Sequence, residues 1–475
     1  MSTDAATGFG AAITAGGRTA RAERSMLSWS TARVAVTIAL IVAVTGLVAT
    51  VGADARWLAA LGRIIIARRA IPTGVPFAAA PTGHWQNTLV LAELVFDALE
   101  RGLGDRGLIL AQLVAIALAL SILARDARAG GGDSKATATA LMLAGAGALS
   151  SLAIVRVQLF SLVLFAALVA LLRAQARTRS RRIWLALPLL ALWSNLHGAA
   201  LLGLAVLYPY LALSRFRHER LTSVAMAGGA LVALSLTPAG IHTIDYYHGL
   251  VTNLAAQRGV GQWAPLGHSP LDWLAVAAAI VLALRLRHRV PAPWELVVLA
   301  VLACVTVKAA RDSVWLLLFL VGPASHHTRI RRDWNGLIPV GAAVALAALA
   351  FDVAGPPHSG GASRAMVDRA LALAHGRPIL ADGIPAEQLA LAGGRIWAGN
   401  PLDAFSRSVQ AAYLDWVDGD AGGRAALDAS GARVVLVTRA SDAARLTAAD
   451  PAFVRAADDR SAVIYLRRAP GGPDR

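Results

Sequence analysis

The sequence predicts an α-helical polytopic membrane domain followed by a small extracytoplasmic α/β domain. Three observations carry this reading. The chain of 475 residues is 56% hydrophobic and only 16% charged, whereas soluble domains carry about 25% charged residues. Its apolar runs recur near the length a bilayer core needs, roughly 20 residues. Arginine clusters occupy every second gap between those runs, the pattern of loops retained in the cytoplasm. The mean hydropathy of +0.57 agrees. A net charge of +16 would suggest nucleic acid in a soluble protein. Here the cytoplasmic loops absorb it, no basic stripe is interleaved with aromatics, and nucleic acid is not expected as a partner.

Arg18, Arg21, Arg24 and Arg33 make residues 1–33 a cytoplasmic tail ahead of the first apolar run, Val34–Gly52. Ala53-Asp54-Ala55 mimics a signal-peptidase site. The apolar stretch is longer than a signal h-region and the polar segment before it is long, so a retained anchor is expected. Asp54–Asp105 then forms an outer loop. From Arg56 to Arg69, Trp, Leu and Ile alternate with Arg at helical spacing, the pattern of a helix lying in the interface with its guanidinium groups near lipid phosphates. Pro72 and Pro76 end it, and Thr88–Leu99 resumes an apolar helix carrying Glu93 and Asp97.

Gly107–Ala124 returns inward to Arg125, Arg128 and Lys135, and Ala136–Val155 goes out again. Arg156 and Gln158 lie at that outer turn, and Leu159–Leu172 descends to Arg173, Arg177, Arg179, Arg181 and Arg182. Ile183–Trp193 and Ala199–Leu213 are short and Arg-flanked on both sides. They predict a hairpin with Ser194–Gly198 at its tip, in an outward-facing cavity, because irregular backbone at membrane depth needs protein or water around it. Leu221–Leu236 leads to a second interfacial helix marked by Ile241, Ile244, Leu250, Val251 and Leu254, closed by Gln262–Pro265. Leu271–Leu284 returns inward to Arg285, Arg287 and Arg289. Trp294–Val307 and Ser313–Gly322 make another short hairpin with Lys308–Asp312 at its tip, and Gly336–Phe351 crosses last. The membrane domain thus spans 34–353 with about eleven crossings, the C-terminus being outside.

A linker at 354–361 leads into the domain 362–475. Pro378–Ala381, Val434–Val437 and Ala462–Leu466 read as strands, and Ala362–Ala374, Phe405–Val417 and Arg424–Ala429 as helices. This α/β module has no nucleophile elbow and no phosphate-binding glycine pattern, and it is expected to cap the outer face of the membrane domain. Cys304 is the only cysteine, so neither an intrachain disulfide nor a cysteine metal site is expected. No cofactor follows from the sequence. A divalent metal stays open, since it would call for a carboxylate cluster.

Several outer-face strings, taken in order, resemble the multi-spanning GT-C-type glycosyltransferases of bacterial membranes that use polyprenyl-phosphate sugars. They run from Asp54 through Gly62-Arg63, Ile71-Pro72 through Pro76-Phe77, and His84-Trp85-Gln86-Asn87 through Glu93. Further along come Arg156–Ser161, Trp193–Gly198, Gln262–Pro265, Ala310-Arg311-Asp312 and Asn400–Phe405. The chain departs from the family pattern in the first loop. Of two acids and a Trp-His pair it keeps Asp54 and Trp57; Val75 stands where an acid precedes Pro76, and Thr88 where a histidine follows Asn87.

The resemblance implies inverting transfer of a sugar from a polyprenyl-phosphate donor to a glycan, lipid or protein acceptor of the cell envelope. An outer-loop carboxylate would take the acceptor's proton, a task needing a carboxylate beside that hydroxyl, and Asp54 is its candidate; the bland alternative is a solvated acid at a helix end. Arg156, Lys308 and Arg311 break the positive-inside alternation and suit a lipid phosphate, the alternative being snorkelling. Asn195 and His197 at the hairpin tip, with Gln158, are candidates for donor contacts. His84, Asn87 and Glu93 are candidates for the acceptor site, and Glu93 could equally pair with an interfacial Arg. Gln262 and Trp263 suit a sugar, although an interfacial Trp is also an ordinary membrane anchor. The rival to an enzyme is a non-catalytic membrane protein of the same architecture that handles lipid-linked glycans during envelope assembly.

Overall fold

Apolar helices of unequal length gather into a bundle whose two ends differ in chemistry. The computed structural model describes residues 32–83, 85–288, 290–326 and 361–468. The expected last crossing at Gly336–Phe351, nearly all of the linker, and His84 lie outside them. Among the described residues, the helices Asp105–Ala129, Gln158–Arg177 and Gly198–Arg215 are each long and apolar enough to cross a membrane. Ala32–Val48 and Arg220–Leu234 are shorter apolar helices, as are Ser134–Gly147, Pro270–Arg285, Pro293–Lys308 and Ser313–Ala324. Several begin at side-chain caps that satisfy otherwise orphaned N–H groups. Asp133 accepts from the amides of Lys135 and Ala136, and Ser269 with Asp272 forms a capping box. Small residues allow close packing between helices: a Cβ on Gly147 would lie 2.6 Å from that of Ala278.

The second of the two predicted short runs is longer than its apolar pattern indicates. Helix Leu201–Tyr210 is preceded by a 3-10 turn at Gly198–Ala200 and continues through a π turn, Leu211–Arg215. The π turn carries the helix past Pro209, extending the apolar element to the buried Arg215, which bonds Gln175 and Glu219. The tip falls where expected: the amide of His197 donates to the carbonyl of Trp193 at 2.8 Å.

The arginine-rich end is knitted together by a buried ion network. Arg173 donates through Nε to Glu295 at 2.8 Å and through a terminal nitrogen to the carbonyl of Phe319 at 2.9 Å. Asp126 lies 3.4 Å from Arg173 and 3.0 Å from Arg177. Breaking such a pair costs about 3–5 kcal/mol, because it strands a buried charge.

At the opposite end, the apolar runs Val34–Gly52 and Ala136–Val155 do not continue as helices to their last residues. Each ends in two residues of strand, β1 (Thr50–Val51) and β2 (Ile154–Val155), paired in parallel with Thr50 opposite Ile154 and Val51 opposite Val155. The amide of Gly52 extends the pairing to the carbonyl of Val155 at 3.2 Å. Gly52 permits this approach, for a Cβ there would sit 2.2 Å from Cγ2 of Ile154.

The segment expected to lie in the interface forms the helix Ala55–Arg68. Its apolar residues from Ala55 to Leu61 are buried against the helix Val90–Leu103 and against Gly383–Leu391 of the C-terminal domain. Gly62 lets the helices touch: a Cβ would lie 2.1 Å from the carbonyl oxygen of Glu93. Two of its arginines meet protein carboxylates, while Arg68 at its end is exposed. Arg56 is 3% exposed and meets Asp105 at 2.8 Å, and Arg63 meets Asp97 at 3.4 Å and Glu100 at 2.5 Å.

The C-terminal domain has a four-stranded sheet in the order β3 (Ile379–Ala381), β4 (Val434–Thr438), β6 (Ala462–Arg467), β5 (Phe453–Asp458). β3 and β4 are parallel, and the other pairs are antiparallel. The helices Arg364–Ala374, Gly383–Leu391, Arg407–Val417, Arg424–Ser430 and Asp442–Ala448 complete it. The domain is seated on the loops of the β1–β2 end. Amides of Ala79 and Ala80 donate to the carbonyls of Ile396 and Trp397 at 2.8 and 3.0 Å, and the amide of Leu254 donates to Gln410 at 2.9 Å.

Candidate functional site

The β1–β2 pairing brings Asp54 and Arg156 to one place, because each follows its strand by only a few residues. Asp54 adopts φ 85°, a left-handed conformation that costs a non-glycine residue about 1–3 kcal/mol. It precedes the helix Ala55–Arg68 without capping it. Its Oδ1 instead accepts from the indole N–H of Trp57 at 3.2 Å, and its amide donates to Glu387 at 2.9 Å.

Arg156 is 4% exposed and donates to Oε1 of Gln262. Burial and the neighbouring Arg311 push its pKa down to about 10, against the charges of Asp54 and Asp312. Arg311 stacks over Trp263 with 3.9 Å between its guanidinium carbon and the ring centre. Its carbonyl receives a bond from Ser151 at 2.9 Å. The turn after Pro293–Lys308 thereby carries a cation into the same neighbourhood.

His197 enters from the hairpin tip. Ser161 Oγ accepts from the indole N–H of Trp193 at 2.6 Å and lies 2.6 Å from Nδ1 of His197. The hydroxyl has two lone pairs, so either group can supply the proton that Ser161 and Nδ1 share, and burial favours a neutral imidazole. Arg311 and Arg156 lie within electrostatic reach of the ring and oppose a third positive charge there.

The C-terminal domain contributes acids. Asp403 accepts from the indole N–H of Trp85 at 3.1 Å, and burial pushes its pKa up to about 6, Asp54 adding to the shift. Glu387 is 1% exposed. Oε1 accepts both the amide of Asp54 and the side-chain amide of Asn400, each at 2.9 Å. Burial, then the charge of Asp54, raises its pKa to about 7. Tyr246, from the helix Thr243–Thr252, lies within reach of the charges of Asp403 and Asp54. Its hydroxyl would be 2.6 Å from a Cβ on Gly198, so the hairpin tip needs glycine there.

Of the sequence-predicted residues, Asp54, Arg156, His197, Gln262, Trp263 and Arg311 come together. Others do not join them. Asn195 is spent on carbonyls, donating to Ala191 at 2.8 Å and Leu236 at 2.6 Å. Lys308 is exposed at the end of its helix. Gln158 is buried at the start of the helix Gln158–Arg177. Asn87 and Glu93 form a separate buried pair, with Asn87 Nδ2 donating to Glu93 at 2.7 Å. Among the described residues no arginine bonds Glu93, and burial pushes its pKa up to about 8. Asp403 belongs to a string that the family resemblance singled out, but Glu387 and Tyr246 went unnoticed. For Glu387 the signal was a carboxylate on the buried face of a helix, flanked by Pro385, Ala386, Leu389 and Ala390. Tyr246 sat in an amphipathic pattern and carried none.

No family model matches the chain, and no curated protein matches it at a significant level. Among solved structures, the crystal structure of ArnT from Cupriavidus metallidurans bound to undecaprenyl phosphate is similar, with a TM-score of 0.51 at 12% sequence identity. The match covers 94% of this chain and 99% of that one. At that identity the likeness is one of fold, and it spans both domains: this chain has the GT-C-type fold.

Proposed function

We propose that this protein is a membrane glycosyltransferase that moves a sugar from a polyprenyl-phosphate donor to an envelope acceptor on the outer face. The observation that carries the reading is the meeting of Arg156 and Arg311 with Asp54 at one end of the bundle. Cations suit a lipid phosphate, and Arg offers paired donors to its oxygens. The similarity to a protein bound to undecaprenyl phosphate supports a lipid-linked donor. Positive-inside logic assigns the other end, with Arg173, Arg177 and Arg215, to the cytoplasm, and so the Asp54 end and residues 362–475 to the outside.

In this mechanism the acceptor hydroxyl attacks the anomeric carbon opposite the phosphate. The new C–O bond forms as the bond to the phosphate oxygen breaks, inverting the configuration. Asp54 receives the hydroxyl proton, and Arg156 and Arg311 stabilise the charge left on the polyprenyl phosphate. Gln262 and Trp263 hold those guanidinium groups in place, and the His197 ring lies beside them. Asp403 and Tyr246 face the acceptor.

The test uses the full chain in a host lacking it, with Asp54→Asn beside wild type and radiolabelled undecaprenyl-phosphate sugars as donors. Transfer by wild type that the variant loses is expected. Equal transfer by both removes Asp54 as base; transfer by neither, across pentose and hexose donors, favours a role in binding lipid-linked glycans.

A further inference from the structure

We propose that Glu387 is a positioning residue for Asp54, so that the C-terminal domain completes the membrane domain's catalytic centre. This inference rests on the reading of Asp54 as the base. The two residues are separated by 333 positions in the chain and joined by one hydrogen bond, Asp54 N–H to Glu387 Oε1 at 2.9 Å. The bond falls on the backbone of a residue held at φ 85°. Such a conformation persists only when its surroundings over-determine it, and here the determinants are Gly52 in the β1–β2 pairing, the Trp57 indole and Glu387.

Glu387 is itself prepared for the task. Asn400 donates to the same Oε1 at 2.9 Å, while Oε2 is buried without a hydrogen-bond partner among the described residues. A buried polar atom left unpaired costs about 1–3 kcal/mol. An alanine or a leucine would cap this helix face against Ala55–Arg68 without that penalty. Retaining a carboxyl at this position therefore fits a task for Oε1 that packing alone does not require. Loss of domain docking would release the amide of Asp54 and let its backbone relax toward negative φ, turning the carboxylate away from Arg156.

Hydrogen-bond reach and charge are separable by substitution. Glu387→Gln keeps a side-chain carbonyl at the same reach and removes the charge; Glu387→Asp keeps the charge and withdraws it by one methylene. The first readout is hydrogen exchange on the full chain in detergent, following the amide of Asp54 in peptides covering 50–57. Wild type and Glu387→Gln should protect it, and Glu387→Asp should exchange at least ten-fold faster. The second readout is turnover with the undecaprenyl-phosphate sugar that wild type uses. Glu387→Gln should stay within about three-fold of wild-type kcat, and Glu387→Asp should lose at least ten-fold in kcat with donor KM nearly unchanged.

Equal protection in the two variants, or equal kcat, overturns the proposal while leaving Asp54 as base intact. If Asp54→Asn retains activity the base reading fails, whatever the exchange data give. Should Glu387→Asp misfold, Asn400→Ala provides the second variant, since it frees Oε1 from its other donor. It should leave the Asp54 amide protected, and loss of protection there would contradict a direct bond.

Discussion

The guanidinium of Arg311 rests over the indole of Trp263, 3.9 Å from the ring centre. The adjacent Gln262 holds Arg156. Two neighbouring residues of one loop thus orient two cations that come from different parts of the chain. A half-buried cation–π contact contributes about 1–2 kcal/mol, so Trp263→Ala should raise the donor KM roughly ten-fold. Trp263→Phe should fall between the two, because its face is weaker but present. Steady-state kinetics over a donor series checks both.

Arg156 should not be replaceable by lysine. It keeps Gln262 with one arm, and lysine has a single point of charge where Arg offers a planar fork. Arg156→Lys is expected to lose most of the effect that Arg156→Ala loses, measured as donor affinity by titration with undecaprenyl phosphate. Full rescue by lysine would show that charge alone suffices.

Gly52 predicts a structural variant with a functional readout. A methyl there meets Cγ2 of Ile154 at 2.2 Å, and forced overpacking costs about 1–3 kcal/mol. Gly52→Ala should lower the melting temperature and reduce activity, because β1 and β2 set Asp54 beside Arg156. Ile154→Ala removes the obstructing carbon, so the double variant should recover both. Strictly additive losses in this cycle would mean that the two positions are not coupled.

Glu93 gives a pH signature in stability. Its folded pKa of about 8 lies above the ordinary 4.5 because burial disfavours the charge, and the bond from Asn87 only partly offsets this. The folded state therefore holds a proton that the unfolded state releases. The contribution is fully present below about 4.5 and is lost as pH rises through about 8. Glu93→Gln, which keeps the geometry without a titrating proton, should flatten the fall in melting temperature across that window. An unchanged slope would assign the pH dependence to other groups.

Much of the fold was legible because apolar run length and arginine placement act locally along the chain. The hairpin tip at Ser194–Gly198 and three of the strands of the C-terminal domain were read this way. Phe453–Asp458 was missed since it is an edge strand with exposed Val454 and Arg455, leaving no alternation to detect. For the helix Ala55–Arg68 the protein partners were not legible, because Arg56 and Arg63 look lipid-directed until Asp105, Asp97 and Glu100 fold against them. Within the site, the cations were visible as breaks in the charge pattern. Glu387 was not, because its meaning comes from Asp54, 333 positions away.

The most direct measurement is a cryo-EM structure of the full chain with undecaprenyl phosphate, read for the position of the phosphorus. The phosphate is expected within hydrogen-bonding distance of Arg156 or Arg311, on the side occupied by Asp54. Phosphate density at the opposite end, beside Arg173 and Arg177, would contradict it.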